Sequence, residues 1–343
     1  MNMSASRVRP SPISATVDFE AEGVQHGFLK LPISNDESAW GAVMIPVTVI
    51  KHGEGPTALL TGGNHGDEYE GMTALMKLAN DLNAEQVQGR VIIVPMMNTP
   101  AAQAGRRTSP MDSGNLNRSF PGNPDGGVTE QIADYFTRYL VPMCDVVLDL
   151  HSGGRTLDIV PFAASHQLED RDLQRRALEG AKAFGAPTAM MMFELDAEKL
   201  FDTAVERQGK VFVATELGGG GTTTPERLKI AERGVNNFLI HFGLIDGELE
   251  GPDEPQVYVD MPDASCYVQS EHQGLLELTL ALGEPVREGE VIARVYDMSR
   301  TGTAPIEYRA ERSGLLVARR FPAQVGMGDT IAVIADIVDA LDG

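Results

Sequence analysis

The sequence predicts an α/β protein, with a largely parallel sheet flanked by helices and a smaller all-β part after it. Three observations carry this reading. Short apolar runs rich in β-branched residues alternate with helix-period segments as far as residue 246, a polar Pro/Gly stretch follows, and a β-type pattern then occurs twice. At 343 residues the chain also exceeds one average domain of about 100–200 residues, so one domain is expected over 1–246 and a second over 247–343.

Residues 42–50, 58–61, 91–95, 146–150 and 211–215 have the composition of buried strands. Helices are expected between and after them. Met72, Leu75, Met76 and Ala79 recur at three- and four-residue spacing in 71–82, and 129–140, 170–184 and 226–241 read as further helices. The stretch 247–255, Gly-Glu-Leu-Glu-Gly-Pro-Asp-Glu-Pro, has the make-up of a domain linker. Beyond it, Gly274-Leu-Leu and the segment 283–293 echo Gly314-Leu-Leu and the segment 322–332. Each copy reads as a strand, a turn, an exposed Val, a Gly-acid turn and a second strand, resembling half of a lipoyl- or biotinyl-type sandwich. A carrier role needs an acceptor lysine, yet the last lysine is Lys229, upstream of both copies. The tail is therefore expected to be structural or gating.

Composition excludes several classes of partner. With 28 Lys+Arg against 49 Asp+Glu, the net charge of −21 repels phosphate backbones and anionic lipid, so neither nucleic acid nor a membrane surface is expected. Residues 1–20 lack the apolar core of a signal peptide and no later run has the length of a membrane span, which points to the cytoplasm. Cys144 and Cys266 are too far apart for a C-x-x-C pair and read as buried free thiols.

Strand 58–61 runs into Gly62-Gly-Asn-His65-Gly-Asp-Glu68, at the kind of strand end where α/β active sites gather. His65 and Glu68 can close on one Zn²⁺, leaving room for a third ligand and for water. H-x-x-E alone is weak evidence. His166-Gln-Leu-Glu169 has it too, but with no strand before it, and reads as a surface accident. Around the first copy, Gly62, Gly63 and Gly66 allow close backbone approach to a bound group, and Asp67, Glu68 and Glu70 also suit a plain helix start. Strand 146–150 delivers His151 as the candidate third ligand. Asp149, two residues earlier and so on the same strand face, can orient an imidazole or satisfy a neighbouring loop. The other five histidines lack this setting.

Strand 211–215 ends in Glu216-Leu-Gly-Gly-Gly-Gly221, which lacks the G-K-[ST] of a phosphate loop. Glu216 is thus a candidate base for metal-assisted hydrolysis, taking a proton from water and passing it to a leaving amine. Residues 98–122 form a long stretch nearly without periodicity, of the kind that is usually functional. In it Arg118, assisted by Asn117, can grip a carboxylate through two hydrogen bonds, and Arg107 can stabilise an oxyanion; solvated surface arginines are the plainer alternative.

Taken together and in this order, His65-x-x-Glu68, Asn117-Arg118, Asp-Leu-His151 and Thr-Glu216-Leu-Gly resemble the succinylglutamate desuccinylase/aspartoacylase family, zinc hydrolases related to carboxypeptidase A, over residues 40–245. The resemblance implies a zinc-carboxypeptidase-like mixed α/β sheet flanked by helices, with a β-domain that narrows access to the metal. It further implies one Zn²⁺ per chain held by His65, Glu68 and His151, with Glu216 as base, Arg107 polarising the acyl oxygen, and Asn117 with Arg118 on the substrate α-carboxylate. Arg107 is chosen over Arg106 because the family pattern R-x-x-P-x-D fits Arg107-Thr-Ser-Pro110-Met-Asp112. Asn115 stands where aspartoacylase and carboxypeptidases carry Asp to orient a zinc histidine, and can accept that hydrogen bond with less charge.

Within the family, Gly-Gly-Asn-His65-Gly-Asp-Glu68-Tyr-Glu-Gly and Asn115-Leu-Asn-Arg118-Ser-Phe-Pro-Gly resemble the branch that deacetylates N-alpha-acetyl-L-2,4-diaminobutyrate in ectoine breakdown. For that substrate, Glu194 and Asp196 are candidates to face its ammonium. Succinylglutamate, acetylaspartate and C-terminal peptide cleavage are alternatives within one mechanism, and a non-catalytic ligand-binding protein on the same fold is the alternative of another class. Zinc content measured with hydrolysis of any N-acyl amino acid separates the classes. The expected partner is a small-molecule N-acyl amino acid, and a homo-oligomer is compatible with the sequence.

Overall fold

Gly89–Val94, Thr57–Gly62, Val146–His151 and Val211–Glu216 lie side by side in that order, mutually parallel, at the centre of one mixed sheet. The computed structural model describes residues 9–193 and 197–341. On one flank the long antiparallel pair Gly23–Asn35 and Ser38–His52 extends the sheet, and on the other Phe162–Ser165 joins Val211–Glu216 antiparallel, followed by Thr188–Met191. The mixed character follows from these flanks.

Successive strand residues point to opposite faces, and the core divides accordingly. Leu60, Leu148 and Val213 pack with the helices Tyr69–Asp81, Arg171–Phe184 and Pro225–His241. Leu59, Val147 and Phe212 face the other way, toward Val128–Tyr135 and Phe201–Glu206. With both faces covered, the central strands read as unbroken apolar runs, which is why the sequence located them to within one or two residues. The expected helix over 129–140 is α-helical only to Tyr135 and continues as a π-helical turn, Phe136–Leu140. The stretch 98–122 also carries more structure than expected, with a short helix at Thr99–Ala104 and a 3-10 turn at Leu116–Arg118.

After residue 247 the chain continues the same sheet: Val257–Asp260 pairs with Thr188–Met191, and Thr330–Val338 pairs with Val257–Asp260. The two repeat copies interleave. Gly274–Leu278 pairs with Val291–Tyr296 of its own copy and with Gln324–Val325 of the other, while Gly314–Arg320 pairs with Thr330–Val338 and receives Pro285–Val286. This exchange corrects the expectation of exposed valines, because Val286 and Val325 are both only 3% exposed between the sheets. Cys144 and Cys266 are buried free thiols. No helix among the described residues is long and apolar enough to cross a membrane.

Candidate metal centre

The loop between Thr57–Gly62 and the helix Tyr69–Asp81 carries His65 and Glu68, and the end of the adjacent parallel strand Val146–His151 brings His151 to them. The helix Tyr69–Asp81 starts against the end of Val146–His151, close enough that a Cβ on Gly71 would lie 2.4 Å from Leu150 Cβ. Gly66 serves a similar purpose, since its Cβ would lie 2.0 Å from the Ala101 carbonyl carbon. The glycine at that position is therefore required by chain-to-chain packing. Glu68 is the N-cap residue of the helix, yet its side chain caps nothing and turns toward the two imidazoles.

Nδ1 of His65 lies 2.8 Å from Glu68 Oε1, and Nδ1 of His151 lies 2.9 Å from Glu68 Oε2. All three residues are buried, and their ligand atoms fall within 4.8 Å of one another. The outer nitrogens are held as well: His65 Nε2 meets Asn115 Oδ1 at 3.1 Å and His151 Nε2 meets Asp149 Oδ2 at 2.8 Å. Asp149 is fixed in turn by the Thr61 hydroxyl at 2.7 Å and the Asn64 amide at 3.0 Å. Two imidazoles steadied through their far nitrogens and one carboxylate form a donor set that fits a divalent transition metal such as zinc. The Ser152 N–H, which donates to Glu68 Oε2 at 3.1 Å, and the Asn64 and Thr61 contacts escaped the sequence reading because only the fold brings them together.

The charges reinforce this geometry. Burial pulls the His65 imidazole below its ordinary pKa, against the pull of Glu68. Burial also disfavours a charged His151, but Asp149 and Glu68 on either side outweigh it and push His151 well above 6.5. Burial would raise Glu68 and Asp149, yet their histidine partners hold both carboxylates below the usual range.

Glu216 ends its strand opposite His151 in register. Burial and the nearby Glu68 charge push its carboxyl up to about 8, with His151 and Arg107 pulling the other way. Its Oε2 is buried and has no hydrogen-bond partner among the described residues. Arg106 and Arg107 are both exposed, but Arg107 leans in, Nη1 3.3 Å from Glu68 Oε1, and the Arg106 backbone N–H donates to the Ala101 carbonyl. Asn117 is partly committed, since its Oδ1 accepts the Phe201 N–H at 3.0 Å, which leaves its amide NH₂ for a ligand. Arg118 donates to the Asn117 carbonyl at 2.7 Å and lines a cavity of about 570 Å³ with Phe120, Glu130 and Lys199.

His166 is outside this cluster, but it is no surface residue: it is buried against Phe212 and bonded to Glu206 Oε1 at 3.0 Å, because the chain folds back after Phe162–Ser165. Glu194 and Asp196 lie outside the described residues.

Comparison with known proteins shows the family. Residues 54–242 match the succinylglutamate desuccinylase/aspartoacylase catalytic domain. A protein from Halomonas elongata named N-alpha-acetyl-L-2,4-diaminobutyric acid deacetylase is 80% identical over 341 residues, covering 99% of this chain and 100% of its own. The product-bound ectoine utilization protein EutE (DoeB) from Ruegeria pomeroyi superposes with a TM-score of 0.94 at 55% identity, over 96% of this chain and 99% of its own. A succinylglutamate desuccinylase from Silicibacter sp. TM1040 gives 0.93 at 56% identity, over 96% and 100%. On fold, motif order and sequence alike, the chain belongs to the succinylglutamate desuccinylase/aspartoacylase family.

Proposed function

We propose that the chain is a zinc-dependent deacylase that hydrolyses N-alpha-acetyl-L-2,4-diaminobutyrate to L-2,4-diaminobutyrate and acetate in ectoine breakdown. The observation that carries the chemistry is the buried His65, Glu68 and His151 triad with its ligand atoms within 4.8 Å, beside the unpartnered Oε2 of Glu216. The full-length 80% identity to the Halomonas deacetylase supports the substrate.

In this reading His65, Glu68 and His151 hold one Zn²⁺ per chain, with Asn115 and Asp149 steadying the two imidazoles. When bound, zinc supplies Lewis acidity toward the acyl carbonyl and the attacking water. Glu216 takes the proton from that water and delivers it to the departing amine as the amide C–N bond breaks. Arg107 donates to the acyl oxygen as negative charge develops there. Arg118 and the Asn117 amide NH₂ hold the α-carboxylate.

The span of the family match, 54–242, supports 1–246 as the catalytic unit with 247–343 as a second unit. Two free buried thiols support a cytoplasmic location.

Metal analysis combined with an assay of acetate release tests this reading. The expected result is one zinc per chain and turnover lost on chelation and regained with zinc; full turnover in the chelated protein would end it. The Silicibacter relative favours succinylglutamate as the second reading, and the same assay ranks the two substrates.

A further inference from the structure

Directly after Glu216 and Leu217, four consecutive glycines, 218 to 221, all hold positive φ, at 133°, 145°, 72° and 63°. A run without Cβ atoms has almost no stiffness of its own, so its course depends on what is packed against it, and it adjoins Glu216, which is paired with His151 on one side and Phe162 on the other.

The backbone pins are on one side. Gly218 O accepts the N–H groups of Gly153 at 3.0 Å and Ile159 at 3.1 Å, and the Gly220 N–H donates to Leu157 O at 2.9 Å. The side-chain pin is Arg227, from the helix Pro225–His241. Its stem lies so close that a Cβ on Gly218 would sit 2.5 Å from Arg227 Cδ, and its Nη1 donates to Gly219 O at 3.3 Å. Arg227 is itself anchored, with Nη2 2.5 Å from Asp158 Oδ1. The other oxygen of Asp158 accepts from Arg319 Nη2 at 3.2 Å, and Arg319 faces Asp158 in the antiparallel pairing of Gly314–Arg320 with Leu157–Ile159.

Asp158 is 7% exposed, so this is a desolvated carboxylate shared by two guanidiniums, one from the helix under the glycine run and one from the C-terminal β layer. A buried carboxylate held between two half-buried guanidiniums is seldom favoured for stability alone over well-packed apolar side chains, whereas its fixed geometry suits it to hold a neighbour in place.

We infer that Asp158 is a positioning residue: by holding Arg227 against Gly218 and Gly219 and tying both to Arg319, it lets the C-terminal β layer set the aim of Glu216. The inference rests on the reading of Glu216 as the base.

The test compares Arg319→Ala, Arg319→Lys and Asp158→Asn in the zinc-loaded full chain, reading kcat, KM, zinc content and amide hydrogen exchange over residues 217–221. Arg319→Ala should keep its zinc and leave KM within about twofold, while kcat falls about tenfold and exchange in the glycine run quickens. Arg319→Lys, which keeps the charge, should recover part of the loss. The double variant Arg319→Ala/Asp158→Asn should be no slower than Asp158→Asn alone, as residues of one network behave. If Asp158→Asn fails to fold, the two Arg319 variants carry the test.

A loosened glycine run with native kcat, or a native exchange pattern in Arg319→Ala, overturns the positioning role. Failure of the base reading shows separately, as retained turnover in Glu216→Ala, and does not depend on the exchange result.

Discussion

Asp149 and His151 stand two residues apart on one strand, and Asp149 Oδ2 lies 2.8 Å from His151 Nε2 while the opposite nitrogen of the ring faces Glu68. The pleat alone produces this arrangement, since residues i and i+2 share a face. Replacing Asp149 by Ala should free the ring and weaken zinc binding by about 10–100-fold, the usual effect of losing such a partner. Competition against a chromophoric chelator measures it, and unchanged affinity would show that Asp149 does not steady the ligand.

The same pair sets a pH dependence. His151 has its pKa raised well above 6.5, so in protein stripped of metal it contributes stability that is full below 6.5 and is lost as pH rises through its folded pKa. Glu216, raised from 4.5 to about 8, acts in the same direction, its contribution disappearing between those values. Zinc competes with the His151 proton and disfavours the one on Glu216. The gap in Tm between zinc-loaded and stripped protein should therefore widen from pH 6 to pH 9. Thermal unfolding of both forms at the two pH values decides this; a constant or narrowing gap contradicts it.

Glu216 is separable from the ligands by mutation. Glu216→Ala should retain zinc and lose turnover by at least about 10²-fold, whereas His65→Ala and His151→Ala should lose the metal itself. Near-normal turnover in a fully loaded Glu216→Ala variant would remove its assignment as base.

What the sequence made legible follows from how each feature is encoded. The central strands and the residues at their ends could be read because buried parallel strands are continuous apolar runs and their chemistry sits in the few residues that follow. Asp149 could be read for the same local reason. The Arg227, Asp158 and Arg319 network could not: its members come from a helix and two strands, and each alone resembles any charged residue near an element end. His166 was misread because the strand directly before it, Phe162–Ser165, is only four residues long and went unrecognised, and because nothing local announces that a helix bearing Glu206 will cover the residue that follows. Val286 and Val325 were misread because the repeat copies exchange strands, and exchange leaves no mark on either copy alone.

Arg118 and Arg107 should fail in different ways. Arg118→Ala should raise KM strongly and remove the preference for a free α-carboxylate over its amide, because the missing contact exists in ground and transition states alike. Arg107→Ala should lower kcat instead, since its bond to the acyl oxygen strengthens only as charge develops. Should Arg118→Ala keep the full preference for the free acid, carboxylate reading would have to be reassigned, with the exposed Arg155 next in line.

Substrate choice rests on charge as well as on likeness. N-succinylglutamate brings three carboxylates to the site, and acetylaspartate two, whereas N-alpha-acetyl-L-2,4-diaminobutyrate brings one carboxylate and one ammonium. In the proposed assignment Arg107 and Arg118 are taken by the acyl oxygen and the α-carboxylate, so a further carboxylate would be left without its own arginine clamp. An unpaired charge in a closed site costs about 3–5 kcal/mol, enough to separate substrates by more than an order of magnitude. We therefore expect kcat/KM for the acetyl-diaminobutyrate to exceed that for acetylaspartate and for succinylglutamate at least about tenfold. A preference for the succinyl or aspartyl substrate in the native protein would overturn the narrow substrate assignment and leave the metal-dependent deacylase chemistry standing.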